Sequence, residues 1–300
     1  MNTTIDNYLF LGLPKSGKTT FFSLVAQHLQ NVANRTKYLR FLFLPTKIIN
    51  KQTGKEIYKQ ITSDFIDDCI SRIHEQRWPR KTEDYESGYS FEIDKFFTLA
   101  GDEPQRSSPA TTSQKPDVDS KNIHGNGVFK RKTILQNFFY RKAVIDYHDY
   151  PGEAFEAAFG VAENPTPVML KAAEDMKSRI ITASGLFLIL DADILFNGTD
   201  NDKYKKTLTA LFFLIRENNP SVKIAIIFNK LELFYGKEPN FVERIKNEFG
   251  NVYASLPSNH RFFYVYPLGS VYTDEDGSTF PPKELKSRGI LKPLKWMINF

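Results

Sequence analysis

The chain has 300 residues, of which 41% are hydrophobic and 25% are charged, and its formal net charge is +5. This is the composition of an ordinary folded domain, and it excludes a disordered, collagen-like or disulfide-rich chain. The single cysteine, Cys69, excludes an intrachain disulfide and favours a cytoplasmic location. The charge is spread along the sequence and the apolar runs are short, so neither DNA binding nor membrane binding is predicted.

The first predicted elements are a short strand and a helix joined by a glycine loop. Residues 8–11 have the pattern of a buried strand, and residues 20–29 that of a helix with one apolar face. The octapeptide between them, 12–19, fits G-x-x-x-x-G-K-[ST], the P-loop motif. Such a loop directs backbone N–H groups and a helix N-terminus at one point, which binds a polyphosphate.

The loop predicts a set of phosphate-binding residues. Gly12 and Gly17 permit the tight turn and the close backbone approach. Lys18 is expected to neutralise the outer phosphates as a catalytic group, and the hydroxyl of Thr19 is expected to hold Mg²⁺. The predicted nucleotide-binding residues of this segment are Gly12, Leu13, Pro14, Lys15, Ser16, Gly17, Lys18, Thr19 and Thr20.

The next part of the chain alternates strand and helix patterns, which predicts a doubly wound, mostly parallel α/β sheet. Residues 38–44 and 85–98 are predicted strands, and 54–74, with apolar residues at four-residue spacing, is a predicted helix. Residues 99–128 are almost entirely polar and are expected to form a mobile loop. Residues 128–140 and 141–148 predict a pair of strands.

The second half continues the alternation. Residues 153–181 predict helices interrupted near Pro165 and Pro167. Further strands are predicted at 185–190, 222–228 and 261–266, with helices at 204–215 and 242–249 and a last helix near Pro293.

Two acids are candidates for managing the Mg²⁺. Asp149 lies in D-x-x-G, where Gly152 can turn its N–H toward a γ-phosphate and act as the hinge of a switch loop. Asp191 follows the apolar run 185–190, as a Walker B acid does. The choice of Asp191 would make the chain an ATP-hydrolysing P-loop enzyme, and this alternative stays open.

A third motif bears on the base. The strand 222–228 runs into Asn229, Lys230, Leu231 and Glu232, close to the guanine-reading sequence N-K-x-D. An acid at the fourth position accepts hydrogen bonds from N1–H and the exocyclic amino group of guanine, which adenine cannot donate in that pattern. The P-loop, D-x-x-G and N-K-x-acid motifs occur in order, each at a strand end, which favours GTP.

With these motifs the chain resembles the Ras-like (TRAFAC-class) GTPases, above all the bacterial double-GTPase-type domains of conflict and signalling gene clusters. The segment Trp78-Pro79-Arg80-Lys81-Thr82 contributes to the likeness. The resemblance implies a six-stranded sheet in one domain, 1–300, with an insertion and switch region at 35–98. It also implies GTP and GDP as ligands, Mg²⁺, and protein partners from the same assembly.

The resemblance also implies individual roles. Thr82 is a candidate switch threonine for Mg²⁺ and the γ-phosphate, although it could equally cap a strand, and Thr36 and Thr46 are weaker rivals. Backbone contacts to the base are implied at Leu268 and Gly269.

Two departures from the family pattern matter. Glu232 is one methylene longer than the usual Asp, which leaves ATP open as an alternative. Glu153, a candidate catalytic residue, stands where many members place a water-orienting Gln. A carboxylate there would repel the γ-phosphate, which predicts slow hydrolysis without an arginine finger. A non-hydrolysing, nucleotide-dependent binding or scaffold module is the remaining alternative.

Overall fold

The computed structural model describes residues 5–13, 16–36, 39–49, 56–59, 61–80, 88–96, 140–148, 150, 152–197, 201–231, 243, 246–247 and 250–298. The strands are β1 (Ile5–Gly12), β2 (Leu39–Phe43), β3 (Thr46–Ile49), β4 (Glu56–Lys59), β5 (Gly88–Phe96), β6 (Tyr140–His148), β7 (Gly185–Asp191), β8 (Lys223–Asn229), β9 (His260–Tyr264), β10 (Tyr272–Thr273) and β11 (Thr279–Phe280). The helices are α1 (Lys18–Arg35), α2 (Ile61–His74), α3 (Gly152–Ala158), α4 (Pro167–Thr182), α5 (Ala192–Asn197), α6 (Asn201–Asn218), α7 (Gly250–Ser255) and α8 (Lys292–Ile298).

The main sheet has seven strands in the order β2-β5-β6-β1-β7-β8-β9. The pairs β6–β1, β1–β7, β7–β8 and β8–β9 are parallel, whereas β2–β5 and β5–β6 are antiparallel. The predicted α/β class with a doubly wound, mostly parallel sheet is confirmed. The expectation of six strands is wrong, because β2 adds a further antiparallel strand outside β5.

Helices cover both faces of this sheet. One apolar layer joins β1, β7 and β8 to α3, α4 and α6. The opposite layer joins β1, β5, β6, β7 and β8 to α1, α2 and α8. Phe10 of β1 and Phe187 of β7 stack at 4.7 Å between ring centroids in the centre of the second layer. The central runs 8–11, 186–190 and 224–228 of β1, β7 and β8 are apolar because both faces of the sheet are buried there.

The predicted helix over 54–74 is wrong at its start. Residues 56–59 form β4, which pairs with β3 in an antiparallel hairpin with Ile48 opposite Ile57. The helix begins only at Ile61, and its apolar face is Ile66, Cys69, Ile70 and Ile73. Ile57 has the same four-residue spacing as the helical residues, but its β-branched side chain is equally suited to a strand, and the cross-strand pairing decides the outcome.

Helix α4 begins at the interruption that the sequence predicts near Pro165 and Pro167. The hydroxyl oxygen of Thr166 accepts a hydrogen bond from the N–H of Met169 at 3.3 Å, and Pro167 occupies the first turn of α4. This is a side-chain N-cap followed by the residue that best tolerates the first helical position.

Strand β6 pairs with β5 and β1. Both edges of β6 are therefore taken, and the predicted pairing of 141–148 with 128–140 is wrong. Residues 128–139 themselves lie outside the described residues, as do the polar segment 99–128 and most of 232–249. Among the helices described, none has both the length and the apolar character required to cross a bilayer.

Candidate functional site

Five parallel strands end along one edge of the sheet, and the predicted motifs lie there. β1 ends at Gly12, β6 at His148 and β7 at Asp191. Asp191 lies opposite Asn229, the last residue of β8. In an open α/β sheet, ligands bind outside the carboxyl ends of the strands. The fold thus brings the glycine loop, the end of β6 and the Asn229–Lys230 turn to the same edge.

Both predicted loop glycines are required by geometry. A Cβ on Gly12 would lie 2.6 Å from Ser16 Oγ and 2.8 Å from the carbonyl oxygen of Ile189. Gly17 has a φ of +78°, and a Cβ there would lie 2.6 Å from Asn229 Nδ2. Positive φ is unfavourable for L side chains, and a Cβ, which cannot form a hydrogen bond, does not approach another heavy atom this closely. The loop is therefore folded so closely on itself and on β7 and β8 that only glycine fits.

The residues of the loop with predicted functional side chains, Lys18 and Thr19, are the first two residues of α1. Lys18 Nζ donates a 3.5 Å hydrogen bond to the carbonyl oxygen of Leu13, so the ammonium lies back over the loop. Thr19 Oγ1 lies 2.9 Å from the hydroxyl of Tyr147. Thr20 is buried beneath the helix start. An ammonium over a loop of backbone N–H groups is suited to a phosphate chain, as the motif predicts.

A magnesium ion fits the donors of this edge. Mg²⁺ prefers hard oxygen ligands and is usually held by one or two protein groups together with substrate phosphates. Thr19 offers a partly exposed hydroxyl at the helix start. Among the described residues, no three His, Cys, Asp or Glu side chains are grouped as a metal site. A metal held mainly by phosphate oxygens and Thr19 agrees with that donor set, and Asp149 lies just beyond the described end of β6.

The end of β8 is joined directly to the glycine loop. Asn229 Nδ2 donates a buried hydrogen bond of 2.7 Å to the carbonyl oxygen of Ser16, which is 213 residues away in the sequence. Asn229 Oδ1 and Ser16 Oγ are buried without a partner among the described residues. Lys230 follows with a φ of 60°, a left-handed conformation that is uncommon outside glycine and concentrates at functional sites.

Asp191, the alternative candidate for the Mg²⁺-binding acid, has protein partners on both of its carboxylate oxygens. Its Oδ1 accepts hydrogen bonds from the N–H groups of Asp193 at 2.9 Å and Ile194 at 3.4 Å, at the start of α5. Its Oδ2 forms a 2.6 Å ion pair with Lys230 Nζ. The carboxylate is almost fully buried. Asp191 therefore caps a helix and anchors Lys230, and both of its oxygens are occupied.

The segment after β9 lies on the same edge. Leu268 is buried, and its carbonyl oxygen accepts a 3.3 Å hydrogen bond from the N–H of Lys286. Gly269 has a φ of +80°, and a Cβ there would lie 2.5 Å from the carbonyl oxygen of Lys286. The segment 286–288 thus fixes the backbone at 268–269, where contacts to a base are expected.

Several predicted site residues lie outside the described part of the chain, and their roles stay predictions. They are Pro14, Lys15, Thr82, Asp149 and Glu232. Gly152 is the first residue of α3, and Glu153 follows it in the same helix. Thr46 begins β3. Thr36 is the C-cap of α1, and the glycine loop lies at the opposite end of that helix. A helix of this length is about 27 Å long, so Thr36 is too far from the phosphate site to be the switch threonine.

A polar cluster lies just after β6. The hydroxyl of Tyr150 donates a 2.5 Å hydrogen bond to Asp175 Oδ2 in α4, and Arg179 Nε donates to the same oxygen at 2.9 Å. Partial burial pushes the pKa of Asp175 upward, but these hydrogen bonds outweigh it and leave the pKa below its usual value. Burial, aided by the charge of Arg179, lowers the pKa of His148 to about 4, so its imidazole is neutral and packs against the ring of Tyr150.

Sequence reasoning did not identify Tyr147, Tyr150, Asp175 or Arg179 as neighbours of the site. The alternation of β6 would have pointed to Tyr147, because it follows Ala143 and Ile145 on the face that packs against α1. No local pattern connects Tyr150 with Asp175, since they are 25 residues apart and meet through the apolar layer that contains Tyr150 and α4.

The fold and the loop together define an α/β domain with a P-loop between its first parallel strand and first helix. No family model matches the chain, and no curated protein does. Among solved structures, the chain is similar to the G domain of the FeoB iron transporter from T. maritima at 8% identity, with 89% of this chain and 91% of that chain covered and a TM-score of 0.32.

Two further solved structures are similar to the chain. One is the GDP-bound Roco2 of Methanosarcina barkeri, at 10% identity, with 98% of this chain and 48% of that chain covered and a TM-score of 0.32. The other is the GTPase-like domain of Ski7 from S. cerevisiae, bound to GDP and inorganic phosphate, at 11% identity, with 99% and 50% covered and a TM-score of 0.40. The chain thus spans about half the length of these two structures.

Proposed function

We propose that the chain binds GTP at the carboxyl edge of its sheet and acts as a slow, Mg²⁺-dependent GTPase switch. The hydrogen bond from Asn229 to the carbonyl oxygen of Ser16 carries the proposal. It joins the strand end predicted to read the base to the loop predicted to bind the phosphates. A ligand held by both must therefore place a base and a phosphate chain at a fixed separation, as a nucleoside triphosphate does.

The residues of the chain divide the binding work. The loop from Gly12 to Thr19 holds the phosphates through backbone N–H groups, and the ammonium of Lys18 neutralises their charge. Thr19 and Asp149 would hold Mg²⁺, which supplies charge stabilisation to the transferring phosphoryl group. Catalysis needs no covalent intermediate with the protein, because positioning and charge stabilisation are sufficient for phosphoryl transfer.

The preference for GTP over ATP follows from two further observations. Asp191, which an ATP-hydrolysing enzyme would use on the metal, is occupied by Lys230 and the start of α5. The same ion pair fixes the side chain of Lys230, two positions before Glu232, the fourth residue of the motif. Glu232 would then accept the two guanine hydrogen bonds, and Leu268 and Gly269 would contact the base through their backbone.

Parallel titrations of GTP and ATP in the presence of Mg²⁺ test the proposal. We expect GTP to bind at least about tenfold more tightly, as one unsatisfied hydrogen bond in the base pocket predicts. Gly17→Ala should weaken GTP binding on the order of 10- to 100-fold, because its Cβ displaces Asn229 and distorts the loop. Gly160→Ala is the matched control: its φ is +71°, but a Cβ there meets nothing within 4 Å.

Both glycine variants incur a similar backbone strain of about 1–2 kcal/mol. A difference in GTP affinity between them therefore reflects the position of Gly17 in the binding site. Equal or tighter binding of ATP would overturn the choice of base. Equal GTP affinity of Gly17→Ala and the unchanged chain would overturn the location of the site.

Slow hydrolysis rests on Glu153, the residue after Gly152 in α3. A carboxylate facing the γ-phosphate repels it, so single-turnover hydrolysis of bound GTP should accelerate in Glu153→Gln, about tenfold or more. A rate in the unchanged chain that already equals that of a partner-stimulated GTPase would contradict this. No detectable hydrolysis in either form would favour the alternative of a nucleotide-dependent scaffold.

The cellular setting is proposed from the motif resemblance alone. The chain is a single domain, 1–300, with its switch region within 35–98, and it works in the cytoplasm. GTP binding orders the segments around Thr82 and Asp149–Glu153, and hydrolysis releases them. Protein partners from a bacterial conflict or signalling assembly read that difference, and co-purification of the chain with such partners in GTP but not in GDP would test it.

A further inference from the structure

Tyr147 is the last core-facing residue of β6 and is fully buried. Its ring stacks on Phe22 of α1 at 4.6 Å between centroids and an interplanar angle of 19°. Phe65 of α2 and Tyr89 of β5 each lie 6.2 Å away at angles below 30°, and these two rings stack on each other at 3.9 Å. Aromatic neighbours from three elements therefore fix the plane of the Tyr147 ring.

The fixed ring delivers its hydroxyl to the phosphate site. The Tyr147 oxygen lies 2.9 Å from Thr19 Oγ1, and either atom can be the donor. β1 and β6 are in parallel register with Phe10 opposite Tyr147, so this contact lies beside the end of β1, where the glycine loop begins. A buried tyrosine hydroxyl usually has a hydrogen-bond partner, and here Thr19 is one.

The contact matters because of what the Thr19 hydroxyl must do. An oxygen that gives a lone pair to Mg²⁺ has to turn its own hydrogen away from the cation and donate it to another acceptor. The Tyr147 oxygen is placed to accept that hydrogen at ordinary hydrogen-bond length. Because aromatic neighbours on three elements hold the Tyr147 ring, the acceptor also sets the directions of the two lone pairs on the Thr19 oxygen, one of which the cation would take.

We infer that Tyr147 is the positioning residue for the metal-binding hydroxyl: it accepts the Thr19 proton and aims the Thr19 oxygen at the cation. The inference rests on the proposed function, because it assumes that Thr19 holds Mg²⁺ beside a bound nucleotide. It adds that the metal site is braced by Phe22, Phe65 and Tyr89, and so by helices α1 and α2 and strand β5.

Tyr147→Phe tests the role, because it keeps the ring and removes only the hydroxyl. The probe is a non-hydrolysable GTP analogue, titrated in EDTA and across a series of Mg²⁺ concentrations. In EDTA we expect equal affinity for the variant and the unchanged chain. The Mg²⁺ concentration for half-maximal tightening should rise about five- to tenfold in the variant, as the loss of one hydrogen bond predicts.

Tyr8→Phe is the matched control. Tyr8 is a buried tyrosine of the same apolar layer, but its hydroxyl lies 3.5 Å from Asp6 Oδ2, on β1 well before the glycine loop. It should leave the Mg²⁺ requirement unchanged. A double-mutant cycle adds a second check: in a Thr19→Val background, Tyr147→Phe should have no further effect, because the hydroxyl that it positions is absent.

Five results would overturn the inference. An unchanged Mg²⁺ requirement in Tyr147→Phe would show that the hydroxyl does not act on the metal site, and a lower requirement would show that it competes with the metal. An equal loss of affinity in EDTA and in Mg²⁺, or a fold that collapses in Tyr147→Phe but not in Tyr8→Phe, would assign the hydroxyl to structure. If the unchanged chain binds no nucleotide at all, the proposed function fails first and the inference fails with it.

Discussion

The two halves of the main sheet are built differently. The parallel half, β1, β7, β8 and β9, has helices on both faces, and every residue of β7 is buried. The mixed half, β2, β5 and β6, contributes to only one of the two apolar layers. On its other face it carries Glu92, Asp94, Lys142 and Asp146.

This difference assigns different tasks to the halves. The parallel half is a rigid apolar platform that fixes the glycine loop and Asn229, which bind the ligand in the proposed function. The mixed half holds buried charged groups whose stability depends on their partners. Its strand β6 ends at His148, and Tyr150 follows it, within the segment predicted to switch.

The largest expected effect lies in the platform. Phe187→Ala removes a fully buried ring that stacks on Phe10 at 4.7 Å. The free energy of unfolding, measured by urea denaturation, should fall by about 3–5 kcal/mol, because the rigid layer cannot close the cavity. Phe213→Ala in α6, where the side chain is 63% exposed, should change it by less than about 0.5 kcal/mol. Similar losses at the two positions would show that the platform is not tightly packed.

An intermediate effect is expected in the mixed half. Lys142 Nζ forms a 2.6 Å ion pair with Glu92 Oε2, whose side chain is 11% exposed. Lys142→Met keeps the aliphatic stem but leaves that carboxylate without its cation, and the unfolding free energy should fall by about 1–3 kcal/mol.

The control for this pair is exposed. Lys286 and Glu284 form a 3.6 Å pair with side chains 73% and 80% exposed, so Lys286→Met should cost less than about 0.5 kcal/mol. Equal effects of Lys142→Met and Lys286→Met would refute the claim that buried pairs stabilise the mixed half.

The same division explains how far the sequence could be interpreted. In the parallel half, continuous apolar runs such as 185–190 and 222–228 predicted β7 and β8 almost residue for residue, because burial on both faces leaves a strong local signal. The glycine loop was equally clear from its motif, and the structure shows why the glycines are needed: Gly12 has no room for a Cβ, and Gly17 has a φ of +78°. Outside the main sheet the prediction failed at 56–59, where Ile57 satisfied the helical spacing but pairs with Ile48 in the separate two-stranded sheet of β3 and β4.

Long-range contacts were beyond sequence reasoning for a physical reason. The ion pair of Asp191 with Lys230 and the contact of Thr19 with Tyr147 each join elements whose distance is set by strand order. The sequence around these residues does not reveal the order of the strands. Strand order is decided by which apolar faces pack together, and a single sequence shows the faces but not their partners.

The smallest expected effect lies where the two halves meet. Asp175 in α4, which packs on the parallel half, receives hydrogen bonds from Tyr150 and Arg179, and Tyr150 follows the end of β6. Asp175→Asn should lower the unfolding free energy by less than about 1 kcal/mol, because the Asp175 side chain is 47% exposed and solvent screens its charge.

The pH dependence of that small term has a definite sign. The pKa of folded Asp175 lies below its usual value, so its stabilisation is fully present above the unfolded pKa of about 4 and is lost as the pH falls through the folded pKa. The difference in stability between the unchanged chain and Asp175→Asn should therefore be constant above about pH 5 and shrink in more acidic solution. Asp68→Asn, at an exposed position of α2, is the control for removing one surface carboxylate. If Asp175→Asn instead lowered the unfolding free energy by several kcal/mol, the segment after β6 would be held strongly to α4. Hydrolysis could then not release that segment by breaking a single weak contact.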